Sequence, residues 1–135
     1  MLRGIHHVAV ICADYAASKA FYTSVLGLAV VAEHYREARR SWKLDLALPD
    51  GGQLELFEYI HPEAIETEPT LPNEIGMHRV AFRVEDLDAA LEIAARHGCH
   101  PLRGVATYED VYRLTYLRGP SGILVMLAEQ LGASR

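Results

Sequence analysis

The chain of 135 residues is long enough for one domain with a hydrophobic core, because half of its residues are hydrophobic and 23% are charged. Its formal net charge of −5 argues against a nucleic-acid or anionic-membrane partner, since both require a basic surface. No apolar run is long enough to span a membrane, and the N-terminus lacks the apolar core and cleavage site of a signal peptide. Cys12 and Cys99 have neither a disulfide-framework nor a zinc-site spacing, so we expect two reduced thiols in a cytoplasmic protein.

The first half of the chain predicts a strand, a helix and three further strands. Residues 5–12 are apolar and rich in β-branched side chains, which is typical of a strand. Asp14 is placed to cap the helix that follows, and Gly27 is placed to end it. The buried stripe of this helix is predicted at a four-residue spacing, at Ala17, Phe21 and Val25. The three strands are predicted at 28–35, 42–48 and 53–60.

Two strings of the first half return in the second half. HHVAVICAD at 6–14 returns as HRVAFRVED at 78–86, an offset of 72 residues. PDGGQLELFE at 49–58 returns as PSGILVMLAE at 120–129, an offset of 71 residues. Because two unrelated strings share nearly one offset, the second half duplicates the first, and each position in one half has a counterpart in the other.

The second half therefore predicts the same order of elements. Asp86 would cap the helix and Gly98 would end it. The buried stripe of this helix is predicted at Leu87, Ala90, Leu91 and Ala94. The strands that follow are predicted near 101–105, 112–118 and 122–129.

The chain thus predicts a single α+β domain of two tandem βαβββ modules, one at about 4–60 and one at about 76–130. Residues 61–75, with three prolines, four glutamates and no lysine or arginine, are predicted to be the linker. One module is too small to bury both faces of its sheet. Two modules side by side would form a curved mixed sheet around a shared cavity, where a ligand would bind.

The two modules, the HHVAV opening, the LELF strand and the G-P-S-G turn resemble the vicinal oxygen chelate superfamily. Its members include glyoxalase I, extradiol dioxygenases and bleomycin-binding proteins. The resemblance covers essentially the whole chain, and the string YREARRSW at 35–42 is most similar to small bacterial glyoxalase-like proteins. It implies a small-molecule ligand and a homodimer, and it indicates the fold rather than the reaction, because this fold hosts many chemistries.

In the metal-dependent members, each module supplies two ligands to one divalent ion, a histidine of its first strand and a carboxylate of its last. His7 and Glu55 match these positions in the first module, whereas the repeat places Arg79 and Met126 at the counterparts in the second. Arginine offers no lone pair, and the methionine thioether is too soft for the usual divalent ions. We therefore expect no tightly bound metal. If one is bound, the resemblance implies a Zn, Ni, Mn or Fe ion on His7 and Glu55.

Glu55 and His7 are also the candidates for catalysis. A carboxylate in the middle of a strand needs a partner, and Arg79 is the leading candidate because a guanidinium can replace the charge of a metal ion. His7 is either a general base or an ordinary structural histidine, and the sequence leaves both open. The parity of the two first strands predicts that His6 and His78 face the core.

Cationic and aromatic side chains at 36–43 predict either a pocket rim that attracts an anionic or aromatic ligand or a solvated strand end. Four residues of the second half either line its part of the cavity or pack in the sheet: Tyr108, Tyr112, Arg113 and Tyr116. Glu129 is predicted to be a surface charge. The predicted ligand-binding residues are His7, Glu55, Arg79, Met126, Arg39, Trp42, Lys43, Tyr112 and Arg113.

Two hypotheses of function follow. The first is a metal-free protein that binds a small organic ligand. The alternative is a metal-dependent lyase, isomerase or dioxygenase that acts on vicinal oxygens, as a lactoylglutathione lyase does. In that case the metal would polarise the oxygens, and a carboxylate would carry the proton. Arg79 and Met126 at two of the four metal-ligand positions favour the binder. The intact pair of His7 and Glu55 keeps the enzyme as the alternative.

Overall fold

The computed structural model describes residues 1–69, 71 and 73–132. The chain divides into two compact units, Met1–Thr67 and Glu68–Arg135. Residues 70 and 72 of the predicted linker lie outside the described residues. Within the described part of the chain, no helix is long and apolar enough to cross a membrane.

The first unit contains a four-stranded mixed sheet with one α-helix. Its elements are β1 (His7–Ile11), α1 (Tyr15–Ala20), β2 (Ala29–Arg36), β3 (Ser41–Ala47) and β4 (Gln53–Tyr59). The strand order is β1-β4-β3-β2, with β1 parallel to β4 and the other pairs antiparallel. A π-helical turn at Phe21–Val25 continues α1.

The second unit repeats this architecture. Its elements are β5 (Val80–Arg83), α2 (Leu87–Arg96), β6 (Ala106–Tyr108), β7 (Tyr112–Arg118) and β8 (Leu124–Gln130). The strand order is β5-β8-β7-β6, again with only the first pair, β5 and β8, parallel. The predicted α+β fold of two βαβββ modules is confirmed.

The repeat extends to the register of the strands. Ala9 of β1 lies beside Glu55 of β4, and its counterpart Ala81 of β5 lies beside Met126 of β8. Glu55 and Met126 therefore occupy equivalent positions in the two sheets, as the sequence alignment of the halves predicts.

The two helices begin as predicted but differ in their buried faces. The carboxylates of Asp14 and Asp86 each accept a hydrogen bond from the amide three residues later, at 3.0 Å, which caps each helix. In α2 the predicted stripe is confirmed, with Leu87 and Ala94 buried and Ala90 and Leu91 half-buried. In the first helix the prediction is wrong at Ala17, which is exposed. Phe21 is buried and Val25 is half-buried as predicted, and Ser18 and Tyr22 are buried as well.

The strand predicted at 101–105 is also wrong. The edge strand β6 is shorter and comes later, at Ala106–Tyr108. It is joined to β7 by a tight turn in which Glu109 and Asp110 have φ angles of 44° and 56°. These left-handed conformations let the chain reverse direction within a few residues, so β6 runs directly up to the turn.

Candidate functional site

Strand parity divides the first sheet into a helix side and a helix-free face. Leu44 and Leu46 of β3 and Leu54 and Leu56 of β4 are fully or almost fully buried, and α1 contacts β4. Side chains of the opposite parity form the helix-free face. This face carries His7 from β1, Lys43 and Asp45 from β3, and Glu55 and Phe57 from β4.

Glu55 is the centre of a charged cluster on the helix-free face. The residue is only 6% exposed. Its Oε1 atom lies 3.7 Å from His7 Nε2 and 3.7 Å from Lys43 Nζ. Both distances are ion-pair distances rather than hydrogen bonds, and Lys43 supplies the positive charge that a buried carboxylate requires. The predicted pairing of Glu55 with Arg79 stays a prediction.

The sequence predicts Lys43 at the rim of a pocket and does not predict it as the partner of Glu55. The side chain of Lys43 is about three-quarters buried, and its ammonium lies between two carboxylates, at 3.3 Å from Asp45 Oδ1 and 3.7 Å from Glu55 Oε1. Alternation along β3 indicates that Lys43 and Asp45 share a face, but sequence does not show which residue of β4 lies opposite them. The observed register places Asp45 directly opposite Glu55.

His7 is the exposed member of the cluster, with 43% of its side chain accessible. Its Nδ1 atom lies 3.0 Å from His6 Nδ1, so one ring donates a hydrogen bond to the other. The prediction that His6 faces the core is wrong, because His6 is exposed and precedes β1. Its backbone carbonyl accepts a hydrogen bond from Gln53 at 3.1 Å. His7 is therefore oriented by two neighbours, His6 and Glu55.

In the second unit, Arg79 and Met126 are both neighbours of Tyr116. The guanidinium carbon of Arg79 is 5.7 Å from the centre of the Tyr116 ring, a cation–π distance, and Tyr116 pairs with Met126. Arg79 is exposed and its Nη1 lies 2.9 Å from Nδ1 of the half-buried His78. Met126 is buried. This cluster presents a fixed positive charge and apolar surface where the first unit presents a carboxylate.

Tyr112 and Arg113 project from opposite faces of the second sheet. Tyr112 stacks on Tyr108, with ring centroids 5.3 Å apart. Arg113 faces α2 and bonds to Asp88 at 3.0 Å, an interaction that raises the pKa of the guanidinium above its usual value. Arg113 also lies 3.6 Å from Glu129. Arg113 therefore holds the helix to the sheet, on the face away from Tyr112 and Tyr116.

The predicted rim residues of the cationic stretch at 36–43 likewise do not share one face of the sheet. Arg39 is exposed in a 3-10 turn at Glu37–Arg39. Trp42 shares the parity of Leu44 and packs edge-on against Tyr35, with ring centroids 5.5 Å apart. Of these three predicted rim residues, Lys43 alone projects toward Glu55.

The donor set does not fit the divalent ion that the resemblance implies. His7 and Glu55 are two donors, and Glu55 already shares its oxygen with the Lys43 ammonium. Across the described ranges, no group of three or more His, Cys, Asp or Glu side chains could hold an ion. A zinc site commonly uses three or four protein ligands. The positions equivalent to Glu55 and His7 in the second unit hold a thioether and a guanidinium, which are poor donors for such an ion.

A pocket of about 440 Å³ opens elsewhere in the first unit. Its lining contains three glutamates and no lysine or arginine, and consists of Cys12, Ala13, Glu58, Tyr59, Ile60, Glu63, Ala64 and Glu66. Burial raises the pKa of the Cys12 thiol, so the thiol is protonated at neutral pH and is a poor nucleophile. The chemistry of the first unit is therefore concentrated at the His7, Lys43, Asp45 and Glu55 cluster.

Comparison with known proteins identifies the superfamily to which this fold belongs. Residues 4–127 match the Glyoxalase/Bleomycin resistance protein/Dioxygenase superfamily. The chain belongs to this superfamily, as its resemblance to the vicinal oxygen chelate proteins predicts.

The similar proteins include one full-length uncharacterized relative and one named enzyme. The chain is 41% identical over 131 residues to YaeR of Escherichia coli, covering 96% of this chain and 98% of YaeR. It is 31% identical over 121 residues to a 2-epi-5-epi-valiolone epimerase from Actinomyces sp., covering 78% of this chain and 66% of the epimerase. A glyoxalase family protein from Bacillus cereus has a similar structure, with a TM-score of 0.78 and 32% identity, covering 98% of this chain and 96% of that one.

Proposed function

We propose that this protein binds a small organic molecule without a divalent metal, and that Lys43 supplies the positive charge which a metal ion supplies elsewhere in the superfamily. The observation that carries the proposal is the position of the Lys43 ammonium, between the buried carboxylates of Asp45 and Glu55. An ion at Glu55 would have to displace this ammonium and recruit ligands from residues that are poor donors. Arg79 would supply a second fixed positive charge.

In this proposal the cluster serves recognition. A pocket with a few fixed polar groups orients a small ligand, while the surrounding apolar surface supplies much of the affinity. His7 is the accessible group and would contact the ligand first. The proposal retains the expectations of a homodimer in the cytoplasm, which come from the resemblance and the composition.

The proposal is tested by elemental analysis of untagged protein purified without chelator, before and after incubation with Zn²⁺, Ni²⁺, Mn²⁺ and Fe²⁺ and gel filtration. We expect far less than stoichiometric metal in both samples, with no difference between the wild type and Glu55→Ala. Near-stoichiometric metal that disappears in Glu55→Ala would contradict the proposal. Glu58→Ala, which removes a carboxylate from the other face of β4, is the matched control for non-specific binding.

The similarity to an epimerase favours a second candidate, an isomerase that uses His7 as the general base. The imidazole lies 3.7 Å from Glu55, which would stabilise its protonated form after it removes a proton from carbon. Such an enzyme would exchange the proton next to a carbonyl with solvent. Proton NMR of 2-hydroxyketones in deuterated water would show this exchange with the wild type and not with His7→Ala. A binder gives no exchange with either protein.

A further inference from the structure

Asp45 is a buried carboxylate that the proposed function names only as a neighbour of Lys43, with no contact to the ligand. It is 9% exposed, and no described residue donates a hydrogen bond to its Oδ1 atom. Lys43 Nζ lies 3.3 Å from this oxygen, so its charge is close although no N–H is aligned with the lone pairs. Asp45 thus has an ionic neighbour and an unused hydrogen-bond acceptor.

The position of Asp45 is energetically unfavourable. It lies directly opposite Glu55 on the neighbouring strand, and like charges in such a pair destabilise a sheet. Two buried carboxylates share one ammonium, because both lie within 4 Å of Lys43. A buried polar atom without a hydrogen bond requires an explanation, and a functional role is one of the recognised ones. The arrangement therefore indicates a binding role for Asp45 rather than a stabilising one.

The fold holds Asp45 in a defined orientation. β3 and β4 are the two inner strands of their sheet, each paired on both sides. A side chain on an inner strand moves less than one on a loop, which makes it suitable for recognising a ligand group by geometry. The neighbouring Phe57 places an aromatic side chain on the same face, one strand across from Lys43.

We propose that Asp45 Oδ1 accepts a hydrogen bond from a neutral hydroxyl group of the ligand, which assigns the ligand to the class of neutral hydroxylated molecules. This inference rests on the proposed function and narrows it. An anionic ligand group would be repelled by the two carboxylates, and a ligand ammonium has no lone pair to offer the Lys43 ammonium, which lies 3.3 Å from Oδ1. A hydroxyl donates to Asp45 without adding charge, and it also offers lone pairs to Lys43.

Three pyranoses test this chemistry: glucose is neutral, glucosamine carries an ammonium in place of the 2-hydroxyl, and glucuronate carries a carboxylate in place of the 6-hydroxymethyl group. Their binding to the 135-residue chain is measured from backbone amide shifts of β3 and β4 by NMR. We expect glucose to shift the amides around Asp45 and the two charged sugars to bind several-fold more weakly. A stronger response to either charged sugar, or no response to glucose, would overturn the inference.

Substitutions at Asp45 separate hydrogen bonding from charge. Asp45→Asn keeps a carbonyl acceptor and should retain glucose binding, whereas Asp45→Leu removes the acceptor and should weaken it on the order of 10-fold or more. Glu58→Leu, on the other face of β4, should leave the glucose response unchanged. Glucose binding that survives Asp45→Leu would overturn the inference.

Thermal unfolding gives a second measurement that needs no ligand. Asp45→Leu should be at least as stable as the wild type, because it removes an acceptor that has no hydrogen bond and relieves the repulsion with Glu55, while Lys43 keeps Glu55 as its ionic partner. A clear loss of stability would show that Asp45 is structural and would overturn the inference. The proposed function would still stand in that case if elemental analysis finds the protein free of metal. Stoichiometric metal on Glu55 would instead overturn the proposed function.

Discussion

Glu129 stabilises the second unit through two contacts that are distant in sequence. Its Oε1 atom accepts a hydrogen bond from the backbone amide of Leu87, at 2.8 Å, and Oε2 lies 3.6 Å from Arg113. Leu87 is the first residue of α2, and its side chain is fully buried. Helix N-terminal amides have no partner within the helix, so Glu129 satisfies a group that would otherwise lack one.

Glu129→Ala should destabilise the protein by about 1–3 kcal/mol, because it leaves the Leu87 amide without its acceptor. Urea unfolding followed by circular dichroism measures the change. Glu129→Gln keeps the acceptor and removes the charge, and should recover most of the loss. If alanine and glutamine variants are equally destabilised, the charge rather than the hydrogen bond to Leu87 is responsible.

The prediction that Glu129 is a surface charge is therefore wrong, and the reason is general. Parity along one strand shows which side chains share a face, but not which distant backbone amide lies against them. The same limit applies to Lys43 and Asp45. Both are visible in the alternating pattern of β3, while their positions relative to Glu55 depend on the register with β4.

At the scale of elements, a hydrogen-bonded cluster fastens α1 to β2. Glu33 of β2 accepts hydrogen bonds from the Tyr15 hydroxyl at 2.7 Å and from Lys19 Nζ at 2.9 Å. These two bonds lower the pKa of Glu33 below its ordinary value, the Tyr15 bond contributing most. Burial, followed by the bond to Glu33, raises the pKa of Tyr15, so the phenol stays a donor over the physiological range.

The lowered pKa of Glu33 predicts the direction of a pH effect. A carboxyl whose pKa is lower in the folded state stabilises the protein above the unfolded value of about 4.5, and this stabilisation is lost as the pH falls through the folded value. Glu33→Gln should cost about 0.5–1 kcal/mol at neutral pH, a figure reduced for solvent screening of a partly exposed pair. The variant should also lose less stability than the wild type on acidification. Equal pH slopes in urea unfolding would contradict this assignment.

The helices also show where periodicity predicts packing and where it does not. The four predicted stripe residues of α2 are buried or half-buried, because α2 is a regular helix of ten residues. In the first unit α1 ends after six residues and continues as a π-helical turn. The buried and half-buried side chains, Ser18, Phe21, Tyr22 and Val25, still lie three or four residues apart, as on one helical face. This face begins at Ser18, so the prediction fails only at Ala17.

At the scale of the molecule, the internal repeat accounts for most of what the sequence predicts. Both units have the same strand order, the same parallel pair and the same register at Ala9 with Glu55 and Ala81 with Met126. Element order and equivalent positions follow from the two repeated strings alone. The proposed ligand class does not follow from them, because the proposal rests on Asp45, at which the two halves differ: the residue equivalent to Asp45 is Tyr116.

The repeat also allows the proposed absence of a metal site to be tested by introducing the two expected ligands. In the superfamily each module supplies a histidine and a carboxylate, and this chain departs from that pattern at Arg79 and Met126. If the four positions form one site, as the resemblance implies, the double variant Arg79→His with Met126→Glu should bind one Zn²⁺ per chain, measured by elemental analysis after gel filtration. Four donors outcompete the Lys43 ammonium for Glu55, whereas either single variant leaves three donors and a weaker site.

Adding His7→Ala to the double variant should reduce its zinc content, which confirms that the ion sits on the restored set rather than on the introduced residues alone. Glu129→Gln in the same background is a control, because Glu129 serves α2 and should not affect the ion. A folded double variant without zinc would show that Arg79 and Met126 do not share a site with His7 and Glu55. The positive charge near Glu55 would then come from Lys43 alone, and Arg79 would serve only the Tyr116 surface of the second unit.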